Sequence, residues 1–227
     1  MNKYKAIILS LLISFMGASC EDWLYDNVNE DAAHEVLPQQ VLPVVLFYSA
    51  QLQFDHAEYG AYLTQTLTTG GRNQTSSFAY KSGWGDFLTM NRHPQWRRHF
   101  YDIGVNAKEI IDEAHEAQAW NLELIGRTLR LMSTQMTTDL FGDMPRSEAY
   151  ESNSPHYDTQ ESIYEWMNQE IEELIGMYED PTYTEAATNI PIDQSIDRVF
   201  AGDLNKWKHY TYALKAVSYT HLTLPTK

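Results

Sequence analysis

Asp139 and Asp143 stand four residues apart on either side of Gly142. Two carboxyl groups about 5–10 Å apart across a sugar site are what glycoside hydrolysis requires, and this spacing is compatible with that distance. A structural role competes with it. Asp139 falls at a helix C-terminus, where a negative charge opposes the dipole and calls for a partner, such as Arg146 or a backbone donor. Asp143 falls in a turn, where its carboxylate can take backbone N–H groups. The structural role is the favoured reading, so no catalytic residue is assigned.

Other chemistry finds little support. The eight histidines are dispersed, with no H-E-x-x-H pair, and one cysteine cannot build a thiolate metal site. No calcium-loop, Walker, dinucleotide-binding or nucleophile-elbow pattern occurs. Neither a metal nor a cofactor is expected. A stretch suited to binding runs through residues 68–90, where helical periodicity breaks. It carries Arg72, Asn73, Tyr80 and Trp84 between Gly71 and Gly85. A flat ring can cover the C–H face of a sugar while Arg and Asn bond its hydroxyls, and loops this long are often functional. The competing reading buries both rings. Trp96, Trp120, Trp166 and Trp207 fall on helical stripes and are expected to pack core or groove.

These residues need a scaffold, and the spacing predicts a helical one. Leu122, Ile125, Leu129, Met132, Met136 and Leu140 recur every three or four residues. Gly142 then ends the helix in a left-handed turn, and Pro145 forbids its resumption. Before it, Trp96, Phe100, Ile103, Ala107, Ile110 and Ala114 form another stripe. A first helix is expected from Pro38, with Val41, Val44 or Val45, Tyr48 and Leu52 inward and Pro43 near its first turn. A second helical piece is expected over Tyr59–Leu67. Residues 143–158 form a polar connection, after which Asp158 or Thr159 caps a helix through Ile163, Met167, Ile171, Leu174 and Tyr178. Pro181 ends it, residues 180–202 form an irregular loop, and a last helix starts near Leu204. No useful strand-like alternation appears, so the fold class is all-α, built from antiparallel helix pairs.

Composition bounds the partners. The 227 residues carry 16 Lys and Arg against 31 Asp and Glu, a formal charge of −15. So acidic a chain argues against nucleic acid and against adhesion to anionic lipid through a basic surface. At the N-terminus, Lys3 and Lys5 precede an apolar run from Ala6 to Ala18. That run is too short to span about 30 Å of hydrocarbon and has the layout of an export signal. Gly17-Ala18-Ser19-Cys20 resembles a lipobox, although Gly17 stands where Leu is preferred. Cys20 is therefore the expected lipidation site.

In order along the chain stand Cys20, Asn106-Ala107-Lys108-Glu109-Ile110, Asp139-Leu140-Phe141-Gly142-Asp143-Met144-Pro145 with Ser147-Glu148-Ala149, Pro155-His156-Tyr157-Asp158-Thr159-Gln160-Glu161-Ser162-Ile163-Tyr164, and Asp197-Arg198-Val199-Phe200 with Gly202-Asp203-Leu204-Asn205-Lys206-Trp207. This ordered set, over residues 20–216, resembles the SusD/RagB family of nutrient-binding outer-membrane lipoproteins. The resemblance implies a tetratricopeptide-like (TPR-like) array of helix pairs with long loops, although no strict 34-residue repeat is visible. It makes Asp139, Gly142, Asp143 and Pro145 an architectural signature. It further implies glycan capture without catalysis, a TonB-dependent transporter as partner, and a lipid anchor in the outer membrane. Glu21 and Asp22, directly after Cys20, resemble a surface-export signal of Bacteroidetes-type lipoproteins. The expected organisation is a signal peptide at 1–19, a tether at 20–35, an incomplete helical domain at 36–216, and a non-native tail at 217–227. That tail is expected to interrupt the last helix after Ala216, leaving a truncated, poorly folding chain. Two other functions fit the same residues: a lipid-anchored all-α glycoside hydrolase and a helical-repeat scaffold that binds protein.

Overall fold

A computed structural model describes residues 37–64, Thr66 and residues 94–223. Its elements are α1 (Pro38–Leu63), α2 (Pro94–Arg97), a π-helical stretch (Arg98–Val105), α3 (Asn106–Glu116), α4 (Trp120–Phe141), α5 (Gln160–Glu179), α6 (Pro181–Thr184) and α7 (Leu204–Thr223). The chain is all-α, as its periodicity predicts. No helix among the described residues is long and apolar enough to cross a membrane.

Helix α4 is the centre, with α1, α3, α5, α6 and α7 packed around it. Its predicted stripe is inside: Leu122, Ile125, Leu129 and Met132 are buried. Its other faces are buried too, and they are polar. Thr128 Oγ1 lies 3.0 Å from Tyr178 Oη and 3.3 Å from Thr211 Oγ1, joining α4 to α5 and α7. Arg127 donates to Glu170 at 2.8 Å and pairs with Glu173 at 2.8 Å. Burial alone disfavours the Arg127 charge, but these two carboxylates outweigh it and the net shift favours the guanidinium. Removing one partner from such a buried pair would strand the other charge.

Local chemistry sets the helix ends. Gly142 takes φ +76°, ψ −123° and stops α4. A Cβ there would meet nothing within 4 Å, so the backbone conformation, not space, requires glycine. Thr159 caps α5, its hydroxyl accepting from Ser162 N at 3.3 Å. The loop expected over 180–202 is irregular but pinned. The carboxylate of Asp197, fully buried, accepts from the N–H groups of Val199, Phe200 and Gly202 and from Trp207 Nε1 at 2.8–3.0 Å. One side chain thereby satisfies four donors and seats Trp207 in the core.

Two expectations about helix length are corrected. The piece expected over Tyr59–Leu67 is not separate: α1 runs unbroken from Pro38 to Leu63. Pro43 lies in its second turn, where it removes one helical N–H without ending the helix. At the other end, α7 continues past Ala216 to Thr223. Ser218 extends the inward spacing of Trp207, Thr211 and Leu214, is fully buried, and donates to Asn168 Oδ1 of α5 at 2.9 Å. The modest helix propensities of Val217 and Thr220, a few tenths of a kcal/mol each, do not outweigh that packing.

Candidate functional site

The connection from Gly142 to Thr159 folds back on itself. Met144 and Asp158 exchange both backbone hydrogen bonds at 3.1 Å. The Asp158 carboxylate then accepts from the N–H groups of Arg146 and Ser147, each at 2.9 Å, and from the Ser147 hydroxyl at 2.9 Å. Burial pushes this carboxyl up, but the donors from Ser147 and Arg146 outweigh it and hold it below the ordinary range. The segment between is thereby held against α2 and the π-helical stretch.

An aromatic groove of about 490 Å³ lies along that contact. Trp96, Phe100, Tyr101 and Val105 form one side, and Pro145, Ala149, Tyr150, Ser152–Pro155 and Tyr157 the other. Trp96 packs on Phe100 at 4.7 Å, edge-on to Phe141 at 5.2 Å, and stacks with Tyr157 at 6.3 Å and 22°. Tyr101 is 69% exposed and Tyr157 52%. Flat rings beside serine and asparagine groups can cover a sugar's C–H face and bond its hydroxyls. The π-helical stretch sets one wall, because a Cβ on Gly104 would fall 1.8 Å from Tyr150 Oη and 2.5 Å from the His99 carbonyl oxygen. Only glycine there admits the tyrosine. Segments of π-helix recur at functional sites.

The residues singled out in the sequence are placed as follows. Asp139 accepts a short hydrogen bond from the Tyr164 hydroxyl, not from Arg146. The burial of Tyr164, with that hydrogen bond second, pushes its phenol far up. Asp143 Oδ1 accepts from Gln160 N at 2.8 Å and so ties the end of α4 to the start of α5. Pro145 is buried and lines the groove. Arg72, Asn73, Tyr80, Trp84 and Cys20 lie outside the described residues. Among the described residues, no cluster of three or more His, Cys, Asp and Glu could hold a metal. The groove is not apparent from the sequence, where residues 143–158 form a polar link; its one signal there is Tyr150 and Tyr157, two rings with no helical stripe to join.

The SusD-like family model, described as starch-binding associating with outer membrane, matches residues 37–222. The chain belongs to the SusD/RagB family. Among solved structures it is similar to a SusD/RagB family protein from Bacteroides thetaiotaomicron, with a TM-score of 0.60 and 22% identity. The match covers 80% of this chain and 37% of that one. None of the curated proteins matches the chain. The turn that closes α4 adjoins the groove, since Pro145 lines it.

Beneath the connection, His99 is fully buried and its Nδ1 shares a 2.8 Å hydrogen bond with Ser133 Oγ. Burial, and secondly the Arg130 charge, lower its pKa to about 3 from 6.5. Across that interval the unfolded chain binds a proton that the folded chain refuses. This contribution to stability is complete above the unfolded value and shrinks as pH falls toward the folded one, by up to about 1.4 kcal/mol per unit. His56, shifted down by burial against an opposing effect of Asp139, acts in the same direction. The melting temperature is expected to fall between about pH 7 and pH 5. His99→Gln, which keeps a group able to bond Ser133, should flatten that decline. An unchanged slope in calorimetry would show that His99 titrates freely in the folded chain.

Proposed function

We propose that this SusD/RagB chain captures oligosaccharides at the outer face of the outer membrane and passes them unchanged to a TonB-dependent transporter. The aromatic groove is the observation that carries this reading. It combines exposed Tyr101 and Tyr157 with Trp96 and the hydroxyl and amide groups of residues 152–154. The engagement of Asp139 by Tyr164 and of Asp143 by Gln160 N supports binding over hydrolysis, because both carboxylates already serve the turn. Arg72, Asn73, Tyr80 and Trp84 are proposed as further ligand contacts. Their loop rejoins the described chain at Pro94, two residues before Trp96.

Each stacked ring should contribute about 1 kcal/mol, the scale of aromatic pairs, or roughly fivefold in affinity. Glycan-array screening followed by calorimetry should find an oligosaccharide ligand that is recovered intact. The double variant Tyr101→Ala with Tyr157→Ala should weaken it about tenfold or more, with little change in melting temperature because both rings are largely exposed. Unaltered affinity would move the site away from this groove, and cleaved ligand would favour the hydrolase.

Lipidation of Cys20 is proposed as the anchor. One acyl chain gives only marginal membrane binding, and two or more hold firmly, at about 0.8 kcal/mol per buried CH₂. Cys20→Ala should therefore shift the protein from the membrane fraction to the soluble one. Retention on salt-washed membranes would argue against a lipid anchor.

A further inference from the structure

Beside the aromatic groove, and sharing Pro145, Ala149 and Tyr150 with it, lies a smaller pit of about 190 Å³. Three cationic side chains line it, Lys108, Arg130 and Arg146, against one carboxylate, Glu151. That balance is the reverse of the chain as a whole, which carries −15.

The three cations differ in how well they are matched. Lys108 Nζ has Asp112 at 2.5 Å and Glu151 at 3.6 Å. Among the described residues Arg130 pairs only with Glu170, at 3.9 Å, and Arg127 already holds that carboxylate at 2.8 Å. Arg146 has no carboxylate within 4.0 Å among the described residues. Its Nε is buried without a hydrogen-bond partner, and its guanidinium lies over the Trp166 ring at 4.8 Å. Arg130 lies over the same ring at 5.9 Å. Two guanidinium groups thus share one indole at the wall of a cavity, and among the described residues neither has a carboxylate to itself. A buried donor of a charged group left without an acceptor costs free energy that an entering anion would recover. The planar fork of arginine suits carboxylate and sulfate oxygens. Tyr150 adds a hydroxyl group to the same lining.

We propose that this pit is an oxyanion subsite, taking the carboxylate or sulfate group of an acidic sugar whose ring lies in the adjoining groove. The placement of the sugar ring rests on the binding role proposed above; the capture of the anion does not. Arg146 supplies the free Nε–H, Arg130 the second positive charge, and Trp166 keeps the two guanidinium groups facing the cavity.

The test uses the whole chain and follows arginine Nε–Hε resonances during titration with sodium glucuronate, sodium sulfate and, as a neutral isostere, glucuronamide. A saturable shift of the Arg146 resonance with glucuronate or sulfate is expected, with glucuronamide at least about tenfold weaker. Arg146→Gln should remove the difference between glucuronate and glucuronamide. If that variant fails to fold, Arg146→Lys keeps the charge, loses the fork, and should weaken the anion about tenfold. A response to glucuronate alone supports a uronic acid, to sulfate alone a sulfate ester, and to both a general oxyanion site. No saturable response, or equal binding of glucuronate and glucuronamide, overturns the subsite. If neutral oligosaccharide still binds in the groove, only the subsite is lost; if nothing binds either, the glycan-binding reading falls with it.

Discussion

The site depends on the closure of residues 144–158 upon themselves. Two backbone hydrogen bonds between Met144 and Asp158, together with three donors on the Asp158 carboxylate, bring the ends of that segment together. Closing a flexible loop costs entropy that grows only slowly with length, so a few well-placed hydrogen bonds can hold it. Everything at the site follows from this closure. It presents Tyr150 and Tyr157 to α2 and the π-helical stretch, and it sets Arg146 over Trp166 of α5. The same turn fixes the relation of α4 to α5 through Asp143 and Gln160. Architecture and site thus draw on one stretch of chain, which is why Pro145 belongs to both.

The scaffold beneath is rigid for a different reason. Helix α4 is buried on all sides, so its polar residues are obliged to find partners. Ser133 pairs with His99, Thr128 with Tyr178 and Thr211, and Arg127 with Glu170. These bonds reach into α5, α7 and the π-helical stretch, and of these the π-helical stretch lines both the groove and the pit while α5 gives the pit Trp166. Arg98 adds a lateral tie, donating to Asp55 of α1 at 2.5 Å. A site on such supports keeps its geometry without ligand, which lowers the ordering cost of weak binding.

Much of the fold was legible in the sequence because it is local. The stripe of α4, the glycine stop at Gly142 and the Thr159 cap each need only neighbours within a turn or two. The errors came where tertiary packing overrides local signals. Residues 217–227, which read as a non-native tail, are expected to interrupt the last helix, but Ser218 finds a place against α5 and the helix continues. Pro43 suggests an early boundary, but Leu42, Val45 and Leu52 bury around it and α1 persists. The groove was not legible at all. It is made by the return of a distant, irregular segment onto a π-helical stretch, and neither has a period to read. Tyr101 and Val105 point outward from the stripe of Ile103 and Ala107, and nothing in their spacing marks them as one wall of a groove. Residues 68–90, the stretch the sequence favoured for ligand contact, lie outside the described residues, and their role is a proposal.

The central claim is that ligand sits between the π-helical stretch and the 144–158 connection. Hydrogen–deuterium exchange of the whole chain, with and without an oligosaccharide identified by array screening, tests it most directly. Ligand-dependent protection concentrated in residues 94–105 and 144–158 is the expected result. Saturating ligand with no added protection in either segment would contradict it.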